Sequence, residues 1–143
     1  MSLQIRELCQ IDYKKNYLEI LKTLSDINPE KITQEDFSNF ISGLPFNHKI
    51  YVVEKNNEII GSGTLIIEDK LIHDISKVGH IEDIVIDKNC RGQNIGKTLM
   101  TYLIETAKSM GCYKVTLYCN EMNTEFYSKC GLVKKEMQMV KYL

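Results

Sequence analysis

The chain has 143 residues, of which 43% are hydrophobic and 26% charged, and its formal net charge is −1. This length suits a single domain over residues 1–143, built around one hydrophobic core. A nearly balanced charge argues against a nucleic-acid partner, because such binders usually present a basic face. No stretch approaches the ~20 apolar residues of a membrane-spanning helix, and "MSLQIREL" lacks the apolar core of a signal peptide. We therefore expect a cytoplasmic protein with small-molecule ligands and no membrane partner.

The cysteines and histidines do not predict a metal site. The chain has five cysteines without a C-x-x-C pair, and three histidines without an i, i+4 helical pair. Neither a disulfide framework nor a zinc site with the usual ligand spacing can be drawn from them. We expect buried free thiols in a reducing compartment, and no metal.

The first half of the chain begins with one strand and two helices. Alternation of apolar and polar residues over 3–8 predicts a strand, and helical spacing of apolar residues predicts a helix over 11–24. Asn28-Pro29 ends that helix. Thr33 with Asp36 three residues later is an N-cap arrangement, which predicts a second helix over 33–42.

The second half alternates between strands and helices. Two β-branched runs, 49–55 and 58–68, flank Asn56-Asn57 and predict a hairpin. A fourth strand over 79–87 leads into a helix of about four turns that ends near Gly111. Further elements are then predicted in this order: a strand over 113–119, a short helix over 123–130 and a final strand region over 131–143. The order β-α-α-β-β-β-α-β-α-β fits a mixed sheet with helices packed on it.

Between the fourth strand and its helix lies "CRGQNIGKT" (90–98), which resembles a phosphate-binding loop. A Walker A loop has the pattern G-x-x-x-x-G-K-[ST], so that successive backbone N–H groups surround the phosphate. Here Gly92 and Gly96 are one residue too close together, and Arg91 occupies the place of the first glycine. The spacing excludes a nucleoside triphosphatase.

Starting from Arg91, the same residues match R-x-x-N-x-G and resemble the [RQ]-x-x-G-x-[GA] signature of the GCN5-related N-acetyltransferase (GNAT) superfamily. There the loop and the helix start bind the pyrophosphate of coenzyme A, since free N–H groups and the helix dipole attract an anion. Asn94 replaces a glycine, and asparagine tolerates positive φ. The resemblance implies that these residues bind acetyl-CoA: Arg91, Gly92, Gln93, Asn94, Ile95 and Gly96.

Longer segments resemble one family within that superfamily. Residues 64–73, 79–100 and 111–132, with "EMQM" (136–139), are similar to glucosamine-6-phosphate N-acetyltransferases. The resemblance implies an α/β (α+β) GNAT fold, in which a mixed, mostly antiparallel sheet carries helices on both faces. Strands four and five would splay around the acyl-CoA. It also implies a homodimer that transfers acetyl directly from acetyl-CoA to the 2-amine of glucosamine 6-phosphate, a step towards UDP-N-acetylglucosamine.

The resemblance also assigns roles to residues of the fourth strand. Glu82 and Asp83 are neighbours, so strict strand alternation would point them to opposite faces. A β-bulge, known in this superfamily, would relax that constraint. Glu82 would then be the catalytic proton acceptor, and Asp83, Ile84 and Val85 would contact acetyl-CoA. Ile81, Glu82 and Asp83 would contact the sugar.

Other site residues follow from the same resemblance. Tyr127 would stabilise the departing thiolate as a second catalytic group, because a phenol can donate a hydrogen bond to it. Asn123 and Phe126 would line the cofactor site beside Tyr127. The remaining sugar-binding residues would be Ser25, Asp69, Lys70, Leu71, Ile72 and Tyr118.

Two departures from the family pattern bear on the acceptor. Tyr118 stands where the family often has Asp or Glu, and Val140 aligns with an arginine that binds the sugar phosphate across the dimer. Lys141 is adjacent to Val140, but it would face the opposite side of a strand and lacks the bidentate fork of arginine. Two alternatives stay open: a GNAT enzyme for another amine, such as a polyamine or a peptide N-terminus, and a non-catalytic acyl-CoA sensor.

Overall fold

A computed structural model describes residues 2–143, and its centre is a five-stranded sheet of order β1-β2-β3-β4-β5. The strands are β1 Gln4–Glu7, β2 His48–Lys55, β3 Glu58–Asp69, β4 Lys77–Ile86 and β5 Cys112–Thr116. Neighbouring strands from β1 to β4 pair antiparallel, and β4 pairs parallel with β5. This confirms the predicted mixed, mostly antiparallel sheet.

Helices cover both faces of the sheet, as predicted. The helical segments are α1 Tyr17–Leu21, α2 Gln34–Ser42, a single turn α3 Ile72–Ile75, α4 Ile95–Ser109 and α5 Thr124–Lys129. Leu99 and Leu103 of α4 pack with Leu65 and Ile81 on one face. Side chains of α1 and α2 pack on the other face with those of β2 and β3: Tyr17, Ile20, Phe37, Ile50 and Ile59.

Two of the predicted elements are wrong. In place of one helix over 11–24, the chain forms a 3-10 turn at Gln10–Lys14 and then the short α1, separated by Asn16 in the left-handed region (φ 68°). A left-handed residue cannot continue an α-helix. No strand forms over 131–143 within the described residues, and there β5 pairs with β4 alone and is an edge strand of the sheet.

Several local predictions are confirmed. Asn56 and Asn57 take positive φ at the β2–β3 hairpin, and Thr33 with Asp36 forms a reciprocal capping box at α2. Gly111 follows α4 with φ +89°, as its role after the helix end requires. The predicted burial of the thiols is wrong. Cys9 and Cys119 are exposed, the other three cysteines are partly buried, and all five are free.

Candidate active site at the bulge of the fourth strand

A β-bulge in β4 brings Glu82 and Asp83 to one face of the sheet. Ser62 of β3 pairs with Val85, and Thr64 pairs with Glu82, so β4 has one residue more than β3 in this interval. Asp83 takes φ 53° at that point. Residues paired directly across two strands share a face, so Glu82 lies on the face of Thr64, and Asp83 lines a cavity on that same face. The bulge removes the alternation that would otherwise separate the two carboxyl groups.

The pairing of β4 with β5 ends just before the bulge. Their parallel pairing runs from Lys77 and Cys112 to His80 and Thr116, and it ends there. Beyond that point Glu82 and Ile84 have no partner on β5, and the chain leaves β5 at residue 117 without regular structure. β5 therefore gives no hydrogen-bonded partner to the bulged part of β4, as expected for the predicted splay of the two strands.

A cavity lies beside Asp83 on this face of the sheet. It has a volume of about 510 Å³, within the range of roughly 300–1,000 Å³ typical of small-molecule sites. Its wall is mostly apolar side chains of α1, α2 and the intervening loop, including Leu18, Leu24 and Phe40. Its polar lining consists of Ser25, Asp26, Asp36, Ser62, Thr64 and Asp83, together with the Tyr17 hydroxyl. Ser25 and Asp83, both predicted to bind the sugar, therefore line one cavity.

Glu82 lies in an environment that makes it a stronger base than a free glutamate. Burial, and then the negative charge of Asp83, raise the pKa of Glu82 above its usual range, although His80 acts in the opposite direction. His80 is held between Glu68 (Nε2–Oε1 2.8 Å) and Thr116 (Nδ1–Oγ1 3.2 Å). A carboxylate with a raised pKa can take a proton from an ammonium or amine more readily at neutral pH.

The loop before α4 has the properties of an anion site. Gly92 and Asn94 take positive φ (84° and 60°), and no side chain caps the start of α4. The first N–H groups of the helix are therefore available to a ligand, next to the exposed Arg91. A Cβ on Gly96 would lie 3.1 Å from the Phe126 ring, so glycine allows α5 to pack against the helix start. The structure thus brings Phe126 next to the loop.

Tyr127 lies on α5 at the edge of the core formed by α4. Its ring meets that of Phe126 edge-on at 5.0 Å, and within residues 2–143 its hydroxyl forms no hydrogen bond. Burial first, and then the nearby Cys119 and Cys130 thiols, raise the pKa of the Tyr127 phenol. The phenol therefore keeps its proton at neutral pH and is available as a donor. Asn123 directly precedes α5 and is exposed.

Other predicted sugar-binding residues lie apart from the cavity. Lys70 pairs with Glu68 at 3.0 Å, and Asp69 pairs with Lys77, so both charges of this loop are already matched. Leu71 and Ile72 are exposed at the left-handed turn α3. Of the other predicted sugar-binding residues, Ile81 is buried on the α4 face and Tyr118 is exposed after β5. Val140, which stands where the family has an arginine, is exposed in the C-terminal segment.

The cavity also contains hydroxyl groups that were not predicted from the sequence. Tyr17, Ser62 and Thr64 line it and are at most 6% exposed. Ser62 and Thr64 are the polar residues inside the apolar run "EIIGSGTLIIE", and their two-residue spacing places both on one strand face. That interruption of an apolar strand is the signal that could have identified them.

Two further observations concern metals and membranes. Within residues 2–143, no group of three or more His, Cys, Asp or Glu side chains is arranged to hold a metal ion. None of the helices in that range is long and apolar enough to span a bilayer.

Known proteins are similar to this chain in sequence and in structure. The acetyltransferase (GNAT) family profile matches residues 13–132. Glucosamine 6-phosphate N-acetyltransferases from Arabidopsis thaliana and Candida albicans are 38% and 41% identical, covering 99% and 94% of this chain and 97% and 92% of their own lengths. The crystal structure of the Arabidopsis thaliana enzyme superposes with a TM-score of 0.93 at 37% identity, over 99% of both chains. The chain therefore belongs to the acetyltransferase (GNAT) family and is similar, over nearly its whole length, to the glucosamine 6-phosphate N-acetyltransferases within it.

Proposed function

We propose that this protein transfers the acetyl group of acetyl-CoA to the 2-amine of glucosamine 6-phosphate, giving N-acetylglucosamine 6-phosphate and coenzyme A. The observation that carries the proposal is the β4 bulge, which directs Glu82 and Asp83 to a common face where β4 and β5 separate. The similarity to enzymes of that name supports the choice of substrate.

The proposed reaction is a direct transfer without an acyl-enzyme. The amine attacks the thioester carbonyl, a C–N bond forms and the C–S bond breaks. Glu82, whose raised pKa favours proton uptake, accepts the proton of the amine, directly or through one water. Tyr127 donates a hydrogen bond to the departing thiolate, since its own pKa is raised and its hydroxyl has no other partner among the described residues.

Acetyl-CoA has two separate supports in the proposed complex. The free N–H groups at the start of α4, with the loop Arg91–Gly96, would bind its pyrophosphate. The acetyl end would lie in the gap between β4 and β5, close to the backbone N–H groups of Ile84 and Val85. Asn123 and Phe126 would form the wall on the α5 side.

We further propose that the protein acts as a homodimer. The apolar residues of the segment 133–143 are all exposed: Val133, Met137, Met139, Val140, Tyr142 and Leu143. A second copy would cover these side chains and the free edge of β5. The residues lining the cavity include no Lys or Arg, so a phosphate there needs a cation from elsewhere, and Lys141 of a second copy is a candidate. Sedimentation that gives a monomer at micromolar concentration would contradict the dimer.

Cytoplasmic location is part of the proposal. Five free cysteines suit a reducing compartment, and both substrates are charged small molecules. Fractionation of cells that express the tagged chain tests this directly.

The experiment that tests the function is a free-thiol assay with acetyl-CoA and an amine panel. The panel holds glucosamine 6-phosphate, glucosamine, a polyamine and a peptide with a free N-terminus. We expect thiol release with glucosamine 6-phosphate at a kcat/KM at least ~100-fold above the other amines, because the lost phosphate contacts are charged hydrogen bonds of about 1.5–3 kcal/mol each. A preference for another amine would show that this amine, and not glucosamine 6-phosphate, is the acceptor. Coenzyme A binding without thiol release on any amine would favour the acyl-CoA sensor.

One observation favours a second acceptor. Tyr118 is exposed and lies outside the cavity lining, and the wall of the cavity is largely apolar. An amine that carries an apolar group, such as a peptide N-terminus, would also fit such a wall. The same panel separates the two acceptors.

A further inference from the structure

Three polar or charged residues are buried within residues 2–143, and they differ in whether their side chains have hydrogen-bond partners. Asp12 accepts two hydrogen bonds from Arg6, at 2.9 and 2.7 Å. Ser62 donates to the carbonyl of Tyr51 at 3.1 Å and is 3.2 Å from the Tyr17 hydroxyl, which therefore donates to it. The third residue, Thr64, is 6% exposed, and none of the side-chain hydrogen bonds of the described residues involves it.

The free hydroxyl of Thr64 faces the cavity. No fully covered side-chain nitrogen or oxygen in residues 2–143 lacks a hydrogen-bond partner. The Thr64 oxygen lacks one, so it must meet open space, and the open space that Thr64 lines is the cavity beside Asp83. A hydroxyl that meets open space can bond to a water molecule, or to a ligand that displaces that water.

The position of Thr64 relative to the proposed base is fixed by the strand register. Thr64 lies directly opposite Glu82 on β3 and β4, and such pairs have Cβ atoms about 4.5–5.5 Å apart. The hydroxyls of Tyr17 and Ser62, which line the same cavity, have already used their protons. Thr64 is therefore the buried hydroxyl of this cavity that can both accept and donate a hydrogen bond to a ligand.

We propose that Thr64 is an acceptor-binding residue, whose hydroxyl oxygen accepts a hydrogen bond from the amino group of the substrate next to Glu82. Holding one N–H at Thr64 leaves the nitrogen lone pair free to face the acetyl carbonyl. This inference rests on the proposed function, because it takes the cavity as the acceptor site and Glu82 as the base. It adds a specificity-determining contact on β3, outside the bulge.

The test compares Thr64→Val with Thr64→Ser. Valine keeps the branched shape and removes the hydroxyl, whereas serine keeps the hydroxyl. We expect Thr64→Val to lower kcat/KM for the amine about 10- to 100-fold, the value of a hydrogen bond to a charged group, because the amine nitrogen becomes positively charged as it attacks the carbonyl. Thr64→Ser should stay within about threefold, because only a methyl group is lost at the cavity wall. The KM for acetyl-CoA and the Kd of coenzyme A by calorimetry should not change in either variant.

Stability separates ligand binding from a structural role. The hydroxyl of Thr64 bonds to no other group of residues 2–143, so Thr64→Val should keep or raise Tm while activity falls. Ser62→Ala is the matched control, and it should lower Tm because it removes a buried hydrogen bond. Equal losses of activity in the valine and serine variants would overturn the proposal, as would a valine variant within twofold of wild type.

The test of Thr64 does not depend on which amine is the acceptor. The comparison is made with whichever amine of the panel the wild-type protein acetylates. If that amine is not glucosamine 6-phosphate, the proposed acceptor is wrong, whereas the effect of Thr64 on the amine is still measured. If Thr64→Val loses coenzyme A binding together with activity, the residue supports the fold and the proposal fails.

Discussion

Replacing Tyr127 by phenylalanine isolates the proposed contact with the leaving thiolate. The substitution keeps the ring, which meets Phe126 at a centroid distance of 5.0 Å, and removes only the hydroxyl. That hydroxyl forms no hydrogen bond within residues 2–143, so no protein group loses a partner. We therefore expect the free energy of unfolding to change by less than about 0.5 kcal/mol.

The expected effect on catalysis follows from one lost hydrogen bond. A hydrogen bond to a charged group contributes about 1.5–3 kcal/mol, which corresponds to a fall in turnover of about 10- to 150-fold. The contact develops only as the C–S bond breaks, so the loss should appear in kcat and leave the KM for acetyl-CoA nearly unchanged. The raised pKa of the phenol keeps wild-type Tyr127 protonated through neutral pH.

The assay follows free thiol release at saturating glucosamine 6-phosphate, with coenzyme A affinity measured separately by calorimetry. Tyr102→Phe is the matched control, because Tyr102 is another phenol beside the same core, on α4, where its ring meets that of Tyr51. The control should retain wild-type turnover. A Tyr127→Phe variant with turnover within twofold of wild type would remove this hydroxyl from the mechanism.

Three more predictions concern Glu82, Asp12 and Gly63. Because the pKa of the Glu82 carboxyl is raised, its charged form destabilises the fold above the ordinary glutamate pKa of about 4.3, and Glu82→Gln should therefore raise Tm at pH 7. The same variant should abolish the fall of kcat/KM that protonation of Glu82 causes at acidic pH. If that fall is unchanged in the variant, Glu82 is not the base. Burial alone would raise the pKa of Asp12, but hydrogen bonds from Arg6 and a backbone N–H outweigh it and lower that pKa. Asp12→Asn should thus lower the free energy of unfolding, measured with urea at pH 7, by about 3–5 kcal/mol. The difference from wild type should shrink as the pH falls below about 4, whereas a difference that does not change with pH would contradict the ion pair. Gly63→Ala would place a Cβ 2.6 Å from the Ile84 side chain. The substitution should therefore lower the free energy of unfolding by about 1–3 kcal/mol and raise the KM for acetyl-CoA. An unchanged Tm and KM would contradict this packing.

Local signals in the sequence were strong enough to determine several turns and caps. Paired asparagines at 56–57 need no distant partner to adopt positive φ, and the same holds for the reciprocal bonds of Thr33 and Asp36. The periodicity of the β2–β3 hairpin and of α4 is long, so their lengths were close to those predicted. Short elements were less well determined. Apolar spacing over 11–24 suggested one helix, but Asn16 and the buried contacts of Asp12 divide it.

The sequence by itself determined the resemblance to the GNAT superfamily, because that resemblance depends on residue types at fixed spacing. The resemblance in turn implied the fold class, the acetyl transfer and the prediction that the loop before α4 binds phosphate. Tertiary structure alone decided which polar groups meet. The extra residue at Asp83 is visible only when β4 is paired with β3, and that pairing places Thr64 opposite Glu82. Strand register is a relation between distant segments, so no local pattern in either strand contains it.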